Sequence, residues 1–340
     1  MKEPIFNIIY IPGTVDYQSL ALVSLLLNSN YSFRLVGNAL CDKEASLLNA
    51  IADCSDRLSY INFKSDFIIP HGTLLDLLFQ KEESKNFCFC DSDLFLFNPI
   101  SASLESLIDG GHVFSSAGRI ENDNQAVYAG FKGGATTISP DGKIPLATSF
   151  FCIYRYEELK KTMYKYHIGF EQYRQLIQIP KAVQDRLKPL KLDFDMFDTG
   201  KLLSVMYHIE GFKNIHADIE GLVHLGGMSG RYLQDINMQV AQEYDDSVLD
   251  MSDQKNTITK EKYKSRNAYE ISLKRLYGKY FYTYLHYLIG KSKKPVLKIT
   301  NPLIKSTIIQ LMHNIESIIK ESLKNPELTL IIKKIKEYKK

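Results

Sequence analysis

The sequence predicts an α/β fold with a mostly parallel central sheet flanked by helices and a helical C-terminal appendage. Three observations carry this. Apolar strand-like runs alternate with helical segments through the first hundred residues, the order expected of a parallel sheet with helical crossovers. The run Phe87-Cys88-Phe89-Cys90 is short, continuous and apolar, as a buried strand is. The last 84 residues lose the alternation and read as basic, Tyr-rich helices.

Taken in order, Phe6 to Ile11 is the first strand, stopped by Pro12-Gly13, and Asp16 to Leu27 the first helix, with Asp16 as its cap. Ser32 to Gly37 is a second strand. Asp42 to Ala52 is a helix with Glu44 in its first turn. Leu58 to Phe63 is a third strand, and Gly72 to Phe79 a helix with an apolar stripe. After the polar break Lys81 to Asn86 comes the central strand Phe87 to Cys90. The stretch from Ser115 to Gly142 is rich in Gly, Asn and Ser, and a loop of that length is usually functional or disordered. Leu146 to Tyr154 returns to strand, Glu157 to Tyr166 to helix, and a further helix lies near Gln184. Phe194 to Gly200 leads into the helix Lys201 to His208. Gly221 to Gly230 is a strand ending in a glycine-rich loop. The expected division is 1–238 for a catalytic domain, with halves of about 1–100 and 101–238. An acidic linker (239–256) and a helical region (257–340) follow.

Charge divides the chain in the same way. Residues 257–340 hold 19 Lys+Arg against 6 Asp+Glu, a net of +13, which leaves −10 for the residues before them. Such a split assigns different jobs to the two parts. The five cysteines are odd in number and contain no Cys-x-x-Cys pair, so neither a disulfide framework nor a zinc site is expected, and a reducing cytoplasm fits. Met1-Lys2-Glu3-Pro4 leads straight into the first strand without signal-peptide character. No run approaches the roughly 18 apolar residues of a membrane span; Leu20 to Leu27, the most apolar piece, is broken by Asn28, Ser29 and Asn30.

The chemistry concentrates at Asp91-Ser92-Asp93, which follows the central strand and precedes a second apolar run, Leu94 to Phe97. Residues i and i+2 of an extended chain share a side. Two carboxylates are thereby offered to one point where a buried strand reaches water. Burying both without a partner is costly, and a divalent cation with oxygen ligands is the natural partner. An Asx-type turn ending the strand is the plainer alternative. In open α/β sheets ligands bind at the carboxyl ends of strands. Tyr10-Ile11-Pro12-Gly13-Thr14 lies at another such end, so the two segments are expected to share a cleft.

This order of elements resembles that of the GT-A glycosyltransferases, a Rossmann-like nucleotide-binding half, an Asp-x-Asp, then an acceptor-binding half, over roughly residues 5–235. The resemblance implies a metal held by Asp91, Asp93 and a downstream strand-end histidine, His224 in His-Leu-Gly-Gly-Met-Ser. It implies nucleotide contacts from Tyr10, Ile11, Pro12, Gly13, Thr14, Asp91 and Ser92. It places the acceptor-activating carboxylate at Asp198, with Asp195 second. Backbone amides at Gly226, Gly227 and Ser229 are able to approach a diphosphate, because glycines permit close contact. The metal is Mn2+ or Mg2+, and an imidazole in the set tilts it to Mn2+. The expected reaction moves a sugar from a nucleotide donor, a UDP-sugar by preference, to an acceptor the sequence does not name: glycan, peptide or small molecule. Each residue also has a structural reading: His224 as a core histidine, Asp198 as a helix cap, Arg231 as a surface ion pair and His71 as a helix start.

Two other functions compete. A sugar-phosphate nucleotidyltransferase normally shows a Gly-rich, basic signature at the first strand, and here Gly13 has no adjacent Arg or Lys. A non-catalytic GT-A-like binding module is opposed by the retention of both carboxylates and the histidine. For the basic, aromatic tail, plain packing of Tyr, Leu and Ile faces on the catalytic domain stands first. Peripheral contact with the anionic inner face of a membrane is second, and nucleic acid is the weakest option.

Overall fold

The computed structural model describes residues 4–101, 106, 108–116, 146–147, 149–190, 197–225, 278–300 and 302–338. A seven-stranded sheet forms the centre, in the order β3-β2-β1-β4-β7-β6-β8. Its strands are β1 (Ile5–Tyr10), β2 (Ser32–Asn38), β3 (Leu58–Phe63), β4 (Asn86–Cys90), β6 (Val113–Ser116), β7 (Phe151–Arg155) and β8 (Asn214–His216). β3, β2, β1 and β4 run parallel, as the alternation of strands and helices predicts. β7 is antiparallel to both β4 and β6, and β8 is parallel to β6. β4 is thus the middle strand. A separate two-stranded ribbon pairs β5 (Leu94–Leu96) with β9 (Leu222–His224).

Strand alternation sorts the side chains into two cores. Phe6, Ile8, Cys88, Cys90 and Phe151 face one side; Phe87, Phe89, Cys152 and Tyr154 face the other. The second side is covered by α3 (His71–Phe79), α4 (Tyr156–Tyr166), α5 (Lys181–Leu187) and α6 (Lys201–Ile209). The first is covered by α1 (Val15–Asn28) and α2 (Asp42–Ala52). Beyond these, in the same core, lie α7 (278–288), α8 (Pro302–Ser322) and α9 (Pro326–Glu337). Every residue of α1 from Val15 to Leu26 is buried, because the sheet lies on one side of it and the C-terminal helices on the other. A helix apolar on all sides needs two partners.

The C-terminal helices pack as their pattern dictates. α9 buries Leu328, Ile331, Ile332 and Ile335, spaced i, i+3, i+4 and i+7, and leaves Lys333 and Lys336 in water. Each such side chain contributes about 2 kcal/mol of gross apolar burial. Asn325 caps the helix by accepting from the Leu328 N–H at 3.3 Å, and Pro326 occupies its first turn. The described C-terminal helices thus pack in the same core as α1 and α2, and no helix among the described residues is long and apolar enough to cross a membrane. All five cysteines are free thiols.

Several boundaries differ from expectation. The strand expected over Leu146 to Tyr154 begins only at Phe151, where pairing with Cys90 starts. β5, β6 and β8 are three or four residues long and carry no period of their own. Asp16 does not cap α1. Thr14 holds the cap position, and the Asp16 carboxylate turns inward to Lys291, Nζ to Oδ2 2.7 Å. Most of the loop 115–142, the linker 239–256 and the first part of the basic region fall outside the described residues.

Candidate active site

Asp91 and Asp93 sit in the turn that joins β4 to β5, closed by the Leu94 N–H on the Asp91 carbonyl at 3.4 Å. Their convergence comes from this turn and not from strand alternation. The ribbon then brings in the third group. Antiparallel pairing of β5 with β9 sets Leu94 opposite His224, and the Leu225 N–H closes the ladder on the Asp93 carbonyl at 3.2 Å. His224 Nε2 lies 3.0 Å from Asp93 Oδ1 and 3.4 Å from Asp91 Oδ2. One donor atom from each of the three residues lies within 4.8 Å of the others. With metal–ligand bonds of about 2.1 Å, two ligands of one ion stand at most about 4.2 Å apart, so the two measured separations suit a shared cation. Two carboxylate oxygens and an imidazole nitrogen are donors suited to a divalent cation.

Neighbours hold His224, Asp91 and the serine between the two aspartates. The Phe150 ring lies 4.3 Å from the His224 ring, and the Phe150 carbonyl accepts the Asp91 N–H at 2.8 Å. Between the two aspartates, the Ser92 hydroxyl donates to Gln18 Oε1 at 2.7 Å. Burial above all, opposed by His224 and aided by Asp93 and Asp198, brings the Asp91 carboxyl up to about 7. A carboxylate raised in this way gains from a cation beside it.

The ends of β1 and β4 lie side by side, with Ile8 opposite Cys90. Ile11, Pro12 and Gly13 are half-buried there, and Thr14 is buried. Gly13 adopts φ 84°, a left-handed conformation that suits glycine, and its N–H donates to Glu44 Oε1 at 2.7 Å. Tyr10 has no exposed surface, so its ring belongs to the core and not to a cleft wall.

Asp198 is half-buried ahead of α6. It is not the cap, because Gly200, at φ 72°, holds that position. Its Oδ1 accepts from the Thr199 N–H at 2.8 Å and from Gln172 Nε2 at 3.0 Å. Its charge reaches Asp91, Lys201 and His71, which sets it at the same end of the sheet as the three-residue cluster. Burial lowers His71 to about 4, so this imidazole is neutral, with its ring edge-on to Phe89.

Lys201 is the group that sequence reasoning passed over. It is 3 % exposed. Burial pushes its ammonium down to about 8 against the pull of Asp198 and Cys152. The signal for it was present as the Asp198-x-x-Lys201 spacing across a helix start. Asp195, Gly226, Gly227, Ser229 and Arg231 lie outside the described residues.

No protein-family model and no curated protein matches the sequence. Solved structures do align with the fold. PcManGT, a mannosyltransferase from Pyrobaculum calidifontis solved with GDP-Man and Mn2+, aligns over 100% of this chain and 89% of its own, at 11% identity and TM-score 0.42. TarS from S. aureus (residues 1–349) aligns over 98% and 89%, at 13% and 0.39. An active-site mutant of LgtC aligns over 63% and 72%, at 12% and 0.39. Likeness at this level concerns the path of the chain, and the chemistry is read from the site.

Proposed function

We propose that this chain is a metal-dependent glycosyltransferase of the GT-A type that moves a sugar from a nucleotide donor to an acceptor. One observation carries the reading: two carboxylates and an imidazole, from segments more than 130 residues apart, meet at the carboxyl end of the middle strand. Asp91, Asp93 and His224 would hold the cation. When bound, it supplies a Lewis acid for the charge that grows on a departing diphosphate. A UDP-sugar as donor and Mn2+ as the ion are the specific choices. The half-buried Ile11-Pro12-Gly13 edge beside the cluster supports the nucleotide assignment, and the imidazole supports the ion.

In the transfer, the acceptor hydroxyl oxygen bonds to the anomeric carbon as the bond from that carbon to the diphosphate oxygen breaks. Asp198 takes the hydroxyl proton. Gln172 and the Thr199 N–H hold Asp198 Oδ1 and so orient the carboxylate. Lys201 places one positive charge beside Asp198. Gly226, Gly227 and Ser229, which follow directly on Leu225, remain assigned to the diphosphate, and Asp195 remains the second candidate for the base. The division at 239–256 is kept as a boundary of the catalytic unit, although the helices beyond it share its core.

The test is a thermal-shift screen of nucleotides and nucleotide sugars with and without Mn2+, since a ligand of the folded state raises its stability. Stabilisation by a nucleoside diphosphate only when Mn2+ is present is expected, followed by release of that diphosphate from the matching sugar nucleotide. Release of pyrophosphate from a nucleoside triphosphate would instead identify a nucleotidyltransferase. Binding with no turnover of any donor would identify a binding module.

A further inference from the structure

Lys291 and Asp16 are 275 residues apart and form an ion pair of 2.7 Å in which the Asp16 side chain is 1% exposed. A carboxylate so buried needs its partner, and the chain is shaped to deliver it. α7 ends at Gly290 in the left-handed conformation, φ 78°. The Gly290 N–H bonds to the Tyr287 carbonyl at 2.9 Å, and the Lys291 N–H to the His286 carbonyl at 2.8 Å. That closed end turns Lys291 back onto the start of α1. The Tyr338 ring, just past α9, lies 4.6 Å from the Lys291 ammonium and steadies it by a cation–π contact. One residue along α1, Tyr17 packs edge-on to Tyr282 at 5.1 Å and against His286 at 4.9 Å. The next residue is Gln18, which is 1% exposed and accepts the Ser92 hydroxyl at 2.7 Å.

We infer that the C-terminal helices are a built-in support of the Asp91/Asp93/His224 centre, and that Lys291, Tyr282 and His286 act as positioning residues through the first turn of α1. The inference deepens the proposed function and rests on it. The contacts run without a gap from Lys291 to Asp16, along the helix backbone to Gln18, and from Gln18 to the serine between the two ligand aspartates. Lys291, Tyr282 and His286 come from the C-terminal region, which holds none of the three residues of the centre. Their work is to keep the turn at 91–93 in one conformation, so that no ordering cost falls on the cation. Groups that orient metal ligands in this way typically change affinity by roughly ten- to a hundredfold when removed. The C-terminal helices are thus a support behind the centre and not an independent appendage.

A thermodynamic cycle tests this. The ion pair is removed whole as Asp16→Asn/Lys291→Met, so that no lone buried charge remains. Gln18→Met removes the link to Ser92, and all three changes are then combined. Free Mn2+ is measured by electron paramagnetic resonance, with Mn2+ alone and then with UDP, well below each variant's melting temperature. The parent is expected to bind. The pair variant and Gln18→Met should each lose about tenfold in Mn2+ affinity, and the combination should lose little more, because both act through one element. Lys291→Arg should keep the parent affinity. Tyr282→Leu, a milder change, should weaken Mn2+ binding if the pair variant does not fold. Lower melting temperatures with unchanged Mn2+ affinity would overturn the inference, as would losses that multiply. A parent that binds no Mn2+ would overturn the metal reading itself and this inference with it.

Discussion

Replacing Lys201 with methionine should make the protein more stable. The folded-state value of about 8 lies below the ordinary 10.5 of a lysine. At about 1.4 kcal/mol per pH unit, holding this ammonium in its buried position costs the folded state roughly 3 kcal/mol near neutrality. The sign follows from proton counts. Between pH 8 and 10.5 the unfolded chain keeps the Lys201 proton and the folded chain has released it. Stability therefore rises with pH across that window, and the whole cost is present below 8. Methionine has nearly the same length and no charge. Lys201→Met is expected to gain up to about 3 kcal/mol at pH 7, shrinking towards zero by pH 10.5. In urea, with a slope of roughly 3 kcal/mol per molar, the midpoint at pH 7 moves up by about 1 M. Tyrosines and cysteines that titrate over the same range are present in both proteins and cancel in the difference. The gain should come with lost turnover, because the cation beside Asp198 is gone, and the parent's turnover should fall as pH rises through about 8. A variant less stable than its parent at pH 7 would refute the reasoning. So would a parent–variant difference that stays constant from pH 7 to 10.5, since the cost would then not be that of a buried charge.

Three further outcomes are expected. Asp93→Ala should abolish transfer and Mn2+-dependent nucleotide binding while leaving the circular dichroism spectrum unchanged; a parent whose transfer survives excess EDTA, or a variant as active as its parent, would remove the metal from the mechanism. His224→Ala should weaken Mn2+ binding by roughly ten- to a hundredfold. A lower melting temperature with metal affinity intact would return His224 to the role of a packed histidine against Phe150. Asp198→Asn keeps the shape and the Thr199 contact but accepts no proton, so turnover should drop by about a hundredfold with donor affinity nearly constant. Normal turnover, or a product that retains the donor's anomeric configuration, would strip Asp198 of its role as base.

The half of the fold that was legible is the half whose contacts are local or periodic. β1 to β4 and the helices between them follow from continuous apolar runs separated by turn residues, and the middle strand was identifiable from Phe87 to Cys90. The short strands were not. β6 and β8 owe their existence to pairing partners about 40 and 100 residues away, and nothing in Val113 to Ser116 alone distinguishes strand from loop. The site shows the same limit. Asp91 and Asp93 were visible as a pair, but their convergence is made by a turn. The place of His224 depends on the register of β9 against β5, which rests on three residue pairs. Lys201 was hidden because its burial is a property of α6 docked on Cys152 and Phe170, not of its own neighbours in sequence.

The C-terminal region shows what the sequence held but did not reveal by itself. Its amphipathic period was readable, and Leu328, Ile331, Ile332 and Ile335 mark a face that has to be covered. The surface that covers it was also readable, in a different place. Leu20 to Leu27 is apolar around the whole helix, which is unsuitable for a crossover helix lying on one sheet face with its back to water. Each segment is thus half of a complementary pair, and the excess of apolar surface on α1 matches the need for it on α7, α8 and α9. Charge gives the same pairing independently. Asp16 stands in an apolar helix with no Lys or Arg between residues 3 and 33, and Lys291 follows a helix-ending glycine in the basic region. A buried acid near one end of the chain and a pinned base near the other mark a long-range contact. Read together with the all-round apolar helix, they point to C-terminal helices that close over α1, the helix whose Gln18 accepts the Ser92 hydroxyl in the turn that carries Asp91 and Asp93.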